Sequence, residues 1–170
     1  MSTQMADPHQ GMLSFEAGLR SGILEIGPVP GCANLYSHFD RPAPGVNRLT
    51  YARLQRDLRT VEAFVSCIMN GEVDGFPCVA LGYAVPEAFR RLGYAKQILR
   101  EVIRDQVRQA GENRISQIYV EAVIDVTNLS SQRVAEAVLN APRESITDAH
   151  SGRDAYRYTA RFETATGRQL

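Results

Sequence analysis

A chain of 170 residues, 44% hydrophobic and 22% charged, has the balance of a soluble globular domain and enough length to bury a core. Nineteen basic residues cancel nineteen acidic ones, which argues against nucleic acid or a membrane surface as partner. No apolar run approaches the roughly 18 residues of a membrane span and nothing near Met1 reads as an export signal, so the expected location is the cytoplasm.

Residues 1–46 are broken by Pro8, Pro28, Pro30, Pro42 and Pro44 and by six glycines. This reads as an irregular N-terminal segment of the same domain as residues 47–170. Only a helical turn near Glu16–Leu19, a short strand near Leu24–Ile26 and a helical turn within Ala33–Asp40 are expected there.

After Gly45 the texture changes. Asn47–Asp57 and Val61–Met69 read as strands, the second with Val61, Ala63, Val65, Cys67 and Met69 at period two. Asn70-Gly71 starts a turn that Gly75 ends, and Phe76–Val85 is a third strand, giving an antiparallel meander. Gly93–Ala110 is the clearest helix, with Ala95, Ile98, Leu99, Val102, Ile103, Val107 and Ala110 on one face and Gly111 as the stop. Ile115–Asp125 follows as the parallel crossover partner of Phe76–Val85. Asn128 or Ser130 caps a helix over Ser131–Asn140, and Ser145–Ala149 with Ala155–Phe162 form a last hairpin. The fold class is α/β with a mixed sheet.

The run from Val85 to Ala95 carries chemistry. It leaves an apolar strand at Pro86 and enters an amphipathic helix through Arg90-Arg91-Leu92-Gly93-Tyr94-Ala95. Small residues at Gly93 and Ala95 let backbone N–H groups of a helix N-terminus approach a phosphate, and two arginines add charge. Downstream, Glu121-Ala122-Val123 leads to Asn128-x-x-Ser131-x-x-Val134.

With these two segments in this order, residues 47–162 resemble the GNAT superfamily of N-acetyltransferases, nearest its ribosomal-protein N-terminal branch. The resemblance implies an antiparallel meander, a β-α-β crossover with splayed central strands, and a C-terminal helix and hairpin. It implies acetyl-CoA as co-substrate, with Arg90, Arg91, Leu92, Gly93, Tyr94 and Ala95 on the pyrophosphate. Tyr83, Ala84 and Val85 would bond the pantetheine arm, beside Asn128 and Ser131. The acceptor would be a small-molecule or peptide amine.

For catalysis, Glu121 is the candidate base, a carboxylate on an otherwise apolar strand. Glu62 and Tyr83 are weaker alternatives. The tyrosine that many relatives use to protonate the departing thiolate is replaced by Ala135, which leaves Ser131 as the candidate acid; its competing role is a helix cap. Residues 1–46 are too short for the family's two acceptor-side helices, so that side is either rebuilt from loops or completed by a partner subunit in a homodimer. The missing tyrosine also favours a second reading, a CoA-binding or interaction module with reduced catalysis.

Other features read as structure. Cys67 and Cys78 are expected in the core, as reduced thiols with Cys32. Tyr156 and Tyr158 are expected to pack, and Arg100, Arg104 and Arg108 to form a solvated helix face. His9, His38 and His150 lie in segments read as loops, without ligand spacing, so no metal is expected.

Overall fold

The computed structural model describes residues 7–149 and 151–170. Among these residues three helices and eight strands follow one another: α1 Pro8–Ser21, β1 Gly27–Pro28, β2 Leu35–Ala43, β3 Val46–Leu54, β4 Val61–Val73, β5 Phe76–Ala84, α2 Tyr94–Glu112, β6 Gln117–Asp125, α3 Leu129–Leu139, β7 Arg143–Thr147 and β8 Asp154–Glu163. A 3-10 turn, Glu87–Phe89, lies between β5 and α2. The strands are ordered β1-β2-β3-β4-β5-β6-β8-β7 in one mixed sheet. β5 and β6 pair in parallel, as the crossover requires, through Cys78–Leu81 against Tyr119–Ala122.

By internal contacts the described residues divide into two units, one of residues 7–68 with Gly82–Val102, the other of Met69–Leu81 with Ile103–Leu170. In the first, α1 lays Met12, Phe15 and Leu19 on Ala52, Leu54, Val61 and Phe64. The rings of Phe15 and Phe64 meet at 6.0 Å. Each such side chain contributes about 1.5–3 kcal/mol on burial. The Glu16 carboxylate accepts the N–H of Val61 at 2.8 Å, tying the helix to the start of β4.

The N-terminal region is more regular than its Pro and Gly content suggests. The turn expected at Glu16–Leu19 is the end of a 14-residue helix. Asp7 caps it by accepting from the N–H of His9, Pro8 occupies the first turn where no N–H is needed, and Gly22 closes it at φ +74°. Gly18, read as a breaker, is there for contact: a Cβ would meet Leu24 at 2.7 Å. Leu24 and Ile26 pack on the core cluster without forming a strand; the short strand is Gly27–Pro28.

The helical turn expected within Ala33–Asp40 is instead strand β2, registered on β3 from Leu35↔Arg53 to Asp40↔Arg48. Pairing overrides the local signal. β1 covers only Tyr36 and Ser37 of β2, so Pro42 sits where the strand has an open edge and need not donate.

The turn expected at Asn70-Gly71 lies further on. β4 continues to Val73, and Asp74 (φ +51°) with Gly75 (φ +80°) makes the two-residue reversal into β5. Gly71, at φ +70°, interrupts the strand instead of ending it. α2 runs two residues beyond Ala110, and left-handed Arg114 follows its last turn.

In the second unit β6 and β8 pair along nine residues, from Gln117↔Glu163 to Asp125↔Ala155. Ile118, Val120, Ala122 and Ile124 are buried, as are Tyr158, Ala160 and Phe162 across the ladder. α3 adds Ala135 and Leu139, and the Gln132 amide donates to the carbonyls of Asp125 and Val126. Cys67 and Cys78 are buried and no disulfide forms. Among the described residues no helix is long and apolar enough to cross a membrane.

Candidate functional site

Two groups of residues carry the expected chemistry, one in each unit. In the first unit, the chain leaves β5 at Ala84 and turns at Pro86. The 3-10 turn is held by Phe89 N–H to the Pro86 carbonyl at 2.9 Å and Arg90 N–H to the Glu87 carbonyl at 3.3 Å. Arg91 (φ +64°) and Gly93 (φ +79°) are both left-handed, on either side of exposed Leu92. Turn conformations of this kind bring successive N–H groups to one concave side, a form that holds anions.

α2 begins at once, with no acidic residue in its first turn. Its first carbonyl bond runs from Gln97 N–H to Gly93 at 3.1 Å. The N–H groups of Tyr94, Ala95 and Lys96 thus precede the helical ladder. A Cβ built on Gly93 would meet nothing within 4 Å. The ground before that backbone is open, and the residues fit a pyrophosphate group.

The flanks of the turn are set by side chains. Arg90 folds back so that its Nε donates to the Val85 carbonyl at 3.1 Å. That carbonyl is one expected to bond the pantetheine arm. Tyr83 is buried, and Ala84 packs against the core cluster. Tyr94 lies under the guanidinium of Arg53, 4.4 Å from its ring centroid, and Arg53 is ion-paired with Glu62 at 2.7 Å. Glu62 therefore has a fixed cationic partner on the neighbouring strand.

In the second unit, Glu121 is 8% exposed on β6, opposite Thr159 of β8 and Ala80 of β5. The amide of Asn70 donates to its Oε1 at 2.9 Å. Cys78 and Arg157 both interact with it electrostatically. Burial, then the charge of Glu121, pushes the Cys78 thiol up to about 12, with Arg157 opposing. Arg157 is drawn to Glu144 at 2.9 Å, which holds its proton more firmly still.

Asn128 caps α3, its Oδ1 accepting from Ser131 N–H at 3.1 Å and from the Ser130 hydroxyl at 3.2 Å. The competing cap role for Ser131 is thus filled by Asn128, and Ser131 sits three residues inside the helix, half-buried. Ala135 is 0% exposed.

The remaining residues are structural in their contacts. Tyr158 is wholly buried and donates to Glu136 at 3.3 Å; Tyr156 lies under Arg143 at 4.3 Å. Arg108 pairs with buried Asp105 and with Glu112, whereas Arg100 and Arg104 are exposed. His9 is in α1, and His38 is in β2 with Nδ1 2.6 Å from the Glu25 carbonyl, so neither stands in a loop. His150 lies outside the described residues. Among the described residues no three His, Cys, Asp or Glu side chains are grouped to hold a metal ion.

Sequence reasoning missed Arg53 and Asn70. Arg53 stands in no motif, Asn70 reads only as part of an Asn-Gly turn, and Asn70 is 51 positions from Glu121. Only strand pairing brings Asn70 to Glu121 and Arg53 to Glu62.

The chain matches the family model described as "Acetyltransferase (GNAT) family" over residues 34–140. Among solved structures it is similar to RimL, a ribosomal alpha-N-protein acetyltransferase in complex with coenzyme A, at 14% identity and TM-score 0.51, covering 79% of this chain and 97% of that one. It is also similar to a putative ribosomal-protein-serine acetyltransferase from Vibrio cholerae, at 21% identity and TM-score 0.48, over 66% of this chain and 63% of that one. A spermidine N-acetyltransferase SpeG chimera from Vibrio cholerae and hSSAT follows at 11% identity and TM-score 0.47, over 71% and 68%. The chain thus spans less than two thirds of the length of the serine acetyltransferase. No curated protein matches. With the family model aligned across both the glycine turn and the Asn128 segment, this chain belongs to the acetyltransferase (GNAT) family.

Proposed function

We propose that this protein transfers an acetyl group from acetyl-CoA to a primary amine, in the manner of the ribosomal-protein branch that its Asn128-x-x-Ser131 segment resembles. The observation that carries the reading is the turn from Arg90 to Ala95. Two left-handed residues open onto a helix N-terminus that has two arginines before it and no acid in its first turn. Backbone N–H groups there bind the pyrophosphate, and the family resemblance assigns Val85 and Asn128 to the pantetheine arm. Binding requires Arg90 to release the Val85 carbonyl.

The neutral amine attacks the thioester carbonyl directly. A nitrogen–carbon bond forms and the carbon–sulfur bond breaks. Glu121 accepts the ammonium proton through water. The CoA thiolate takes a proton from Ser131 or from solvent. A thiol with a pKa of about 8.5 is a competent leaving group without a strong acid. The acceptor is a small-molecule or peptide amine, a class that takes in the protein alpha-amines named for RimL.

One observation favours a second reading, a CoA-binding module without turnover. Ala135 occupies the place of the family's tyrosine acid and is fully buried. Thermal shift with CoA and acetyl-CoA, then thiol release over peptides, polyamines and aminoglycosides, separates the two. Binding with turnover supports the enzyme. Binding without turnover supports the module, and no binding ends both.

A further inference from the structure

We infer that Asn70 is the positioning residue for Glu121, orienting the carboxylate that takes the acceptor's proton; this rests on the reading of Glu121 as base. The Asn70 amide donates to Oε1 at 2.9 Å from a different strand. With Oε1 committed to that bond, the acceptor's proton goes to Oε2. A neutral donor suits this role. It fixes the carboxylate's rotamer without adding a charge that would hold it as a permanent ion pair.

The groups facing Glu121 from each neighbouring element support the assignment. From β8, Arg157 interacts with Glu121 but is ion-paired with Glu144 at 2.9 Å. From β5, Cys78 keeps its proton. On β6 itself, Tyr119 donates to Asp74 at 2.8 Å and also bonds Arg161. Asn70 makes the direct hydrogen bond.

Its setting also breaks a local rule. Asn and Gly are poor strand residues, yet Asn70-Gly71 lies inside the 13-residue β4, with Gly71 at φ +70°. Such departures mark functional sites when a gain offsets them. Here the gain is an amide delivered to Glu121.

The test uses the full chain and thiol release from acetyl-CoA, with a free N-terminal peptide and spermidine as acceptors. Asn70→Ala is expected to lower kcat about ten-fold, with KM for acetyl-CoA unchanged, because a hydrogen bond to a charged group is lost. The acidic limb of kcat/KM moves to higher pH, since the anion has lost a donor. Asn70→Asp moves it further, by about one pH unit or more, because a like charge now faces the carboxylate. CoA affinity reports that both variants are folded. Tyr119→Phe removes a neighbouring bond and is expected to keep the wild-type profile.

If Glu121→Gln abolishes turnover while Asn70→Ala keeps wild-type kcat and pH profile, the inference alone is overturned. The same holds if Tyr119→Phe shifts the profile as Asn70→Ala does. If wild type releases no thiol with either acceptor, or Glu121→Gln behaves as wild type, the reading of Glu121 fails and the inference falls with it.

Discussion

Arg53 lays its guanidinium over the ring of Tyr94, 4.4 Å from the centroid, while its Nε donates to Glu62 at 2.7 Å. Tyr94 is the first residue of α2. A strand residue thereby sets where the helix begins, and so where its unpaired N–H groups point. Arg53→Met keeps the stem but loses both contacts and leaves Glu62 without its cation. The expected cost is about 2 kcal/mol of stability by urea denaturation, between the values for exposed and fully buried pairs. CoA affinity, by calorimetry, is expected to fall several-fold.

Gly93 tests the donor turn more directly. Its φ of +79° favours glycine, yet the space before it is open. Gly93→Ala adds backbone strain of about 1–2 kcal/mol and little bulk. Gly93→Val adds bulk where a phosphate would approach. CoA affinity is expected to fall at least ten-fold for Val and less for Ala, both measured by calorimetry. Equal, unchanged affinities would remove the turn as a phosphate site.

Asp57 gives a pH signature unrelated to catalysis. It accepts from the Thr60 hydroxyl and from the N–H groups of Arg59 and Thr60, which hold its carboxyl down from 3.8 to about 2. A depressed folded value adds stability above pH 3.8 that is lost as pH falls toward 2. Asp57→Asn is expected to flatten the stability curve within that window and leave its slope above pH 5 unchanged, as read by urea midpoints at each pH.

The cysteines give a labelling pattern. Cys78 is 1% exposed with its thiol pushed up to about 12, Cys67 is buried, and Cys32 is half-buried. At pH 8, iodoacetamide is expected to modify Cys32 first and the other two only after unfolding, as mass spectrometry would show. Fast modification of Cys78 in folded protein would contradict its burial beside Glu121.

What was legible in the sequence depended on periodicity. α2, β6 and their parallel crossover carry long regular patterns and emerge within a few residues. α1 was hidden because Pro8 and Gly18 look like breakers, although one suits a first turn and the other a close approach to Leu24. β2 was hidden because its order comes from β3 and not from its own residues. At the candidate site, Arg90, Gly93 and Asn128 stand in motifs and were readable. Arg53 and Asn70 act across strands, and a linear pattern holds no trace of that.

The burial of Ala135 closes a route as well as filling a space. A tyrosine there would have to displace the neighbours that leave Ala135 0% exposed. Enlarging this position therefore costs core packing before it can gain any use of a hydroxyl.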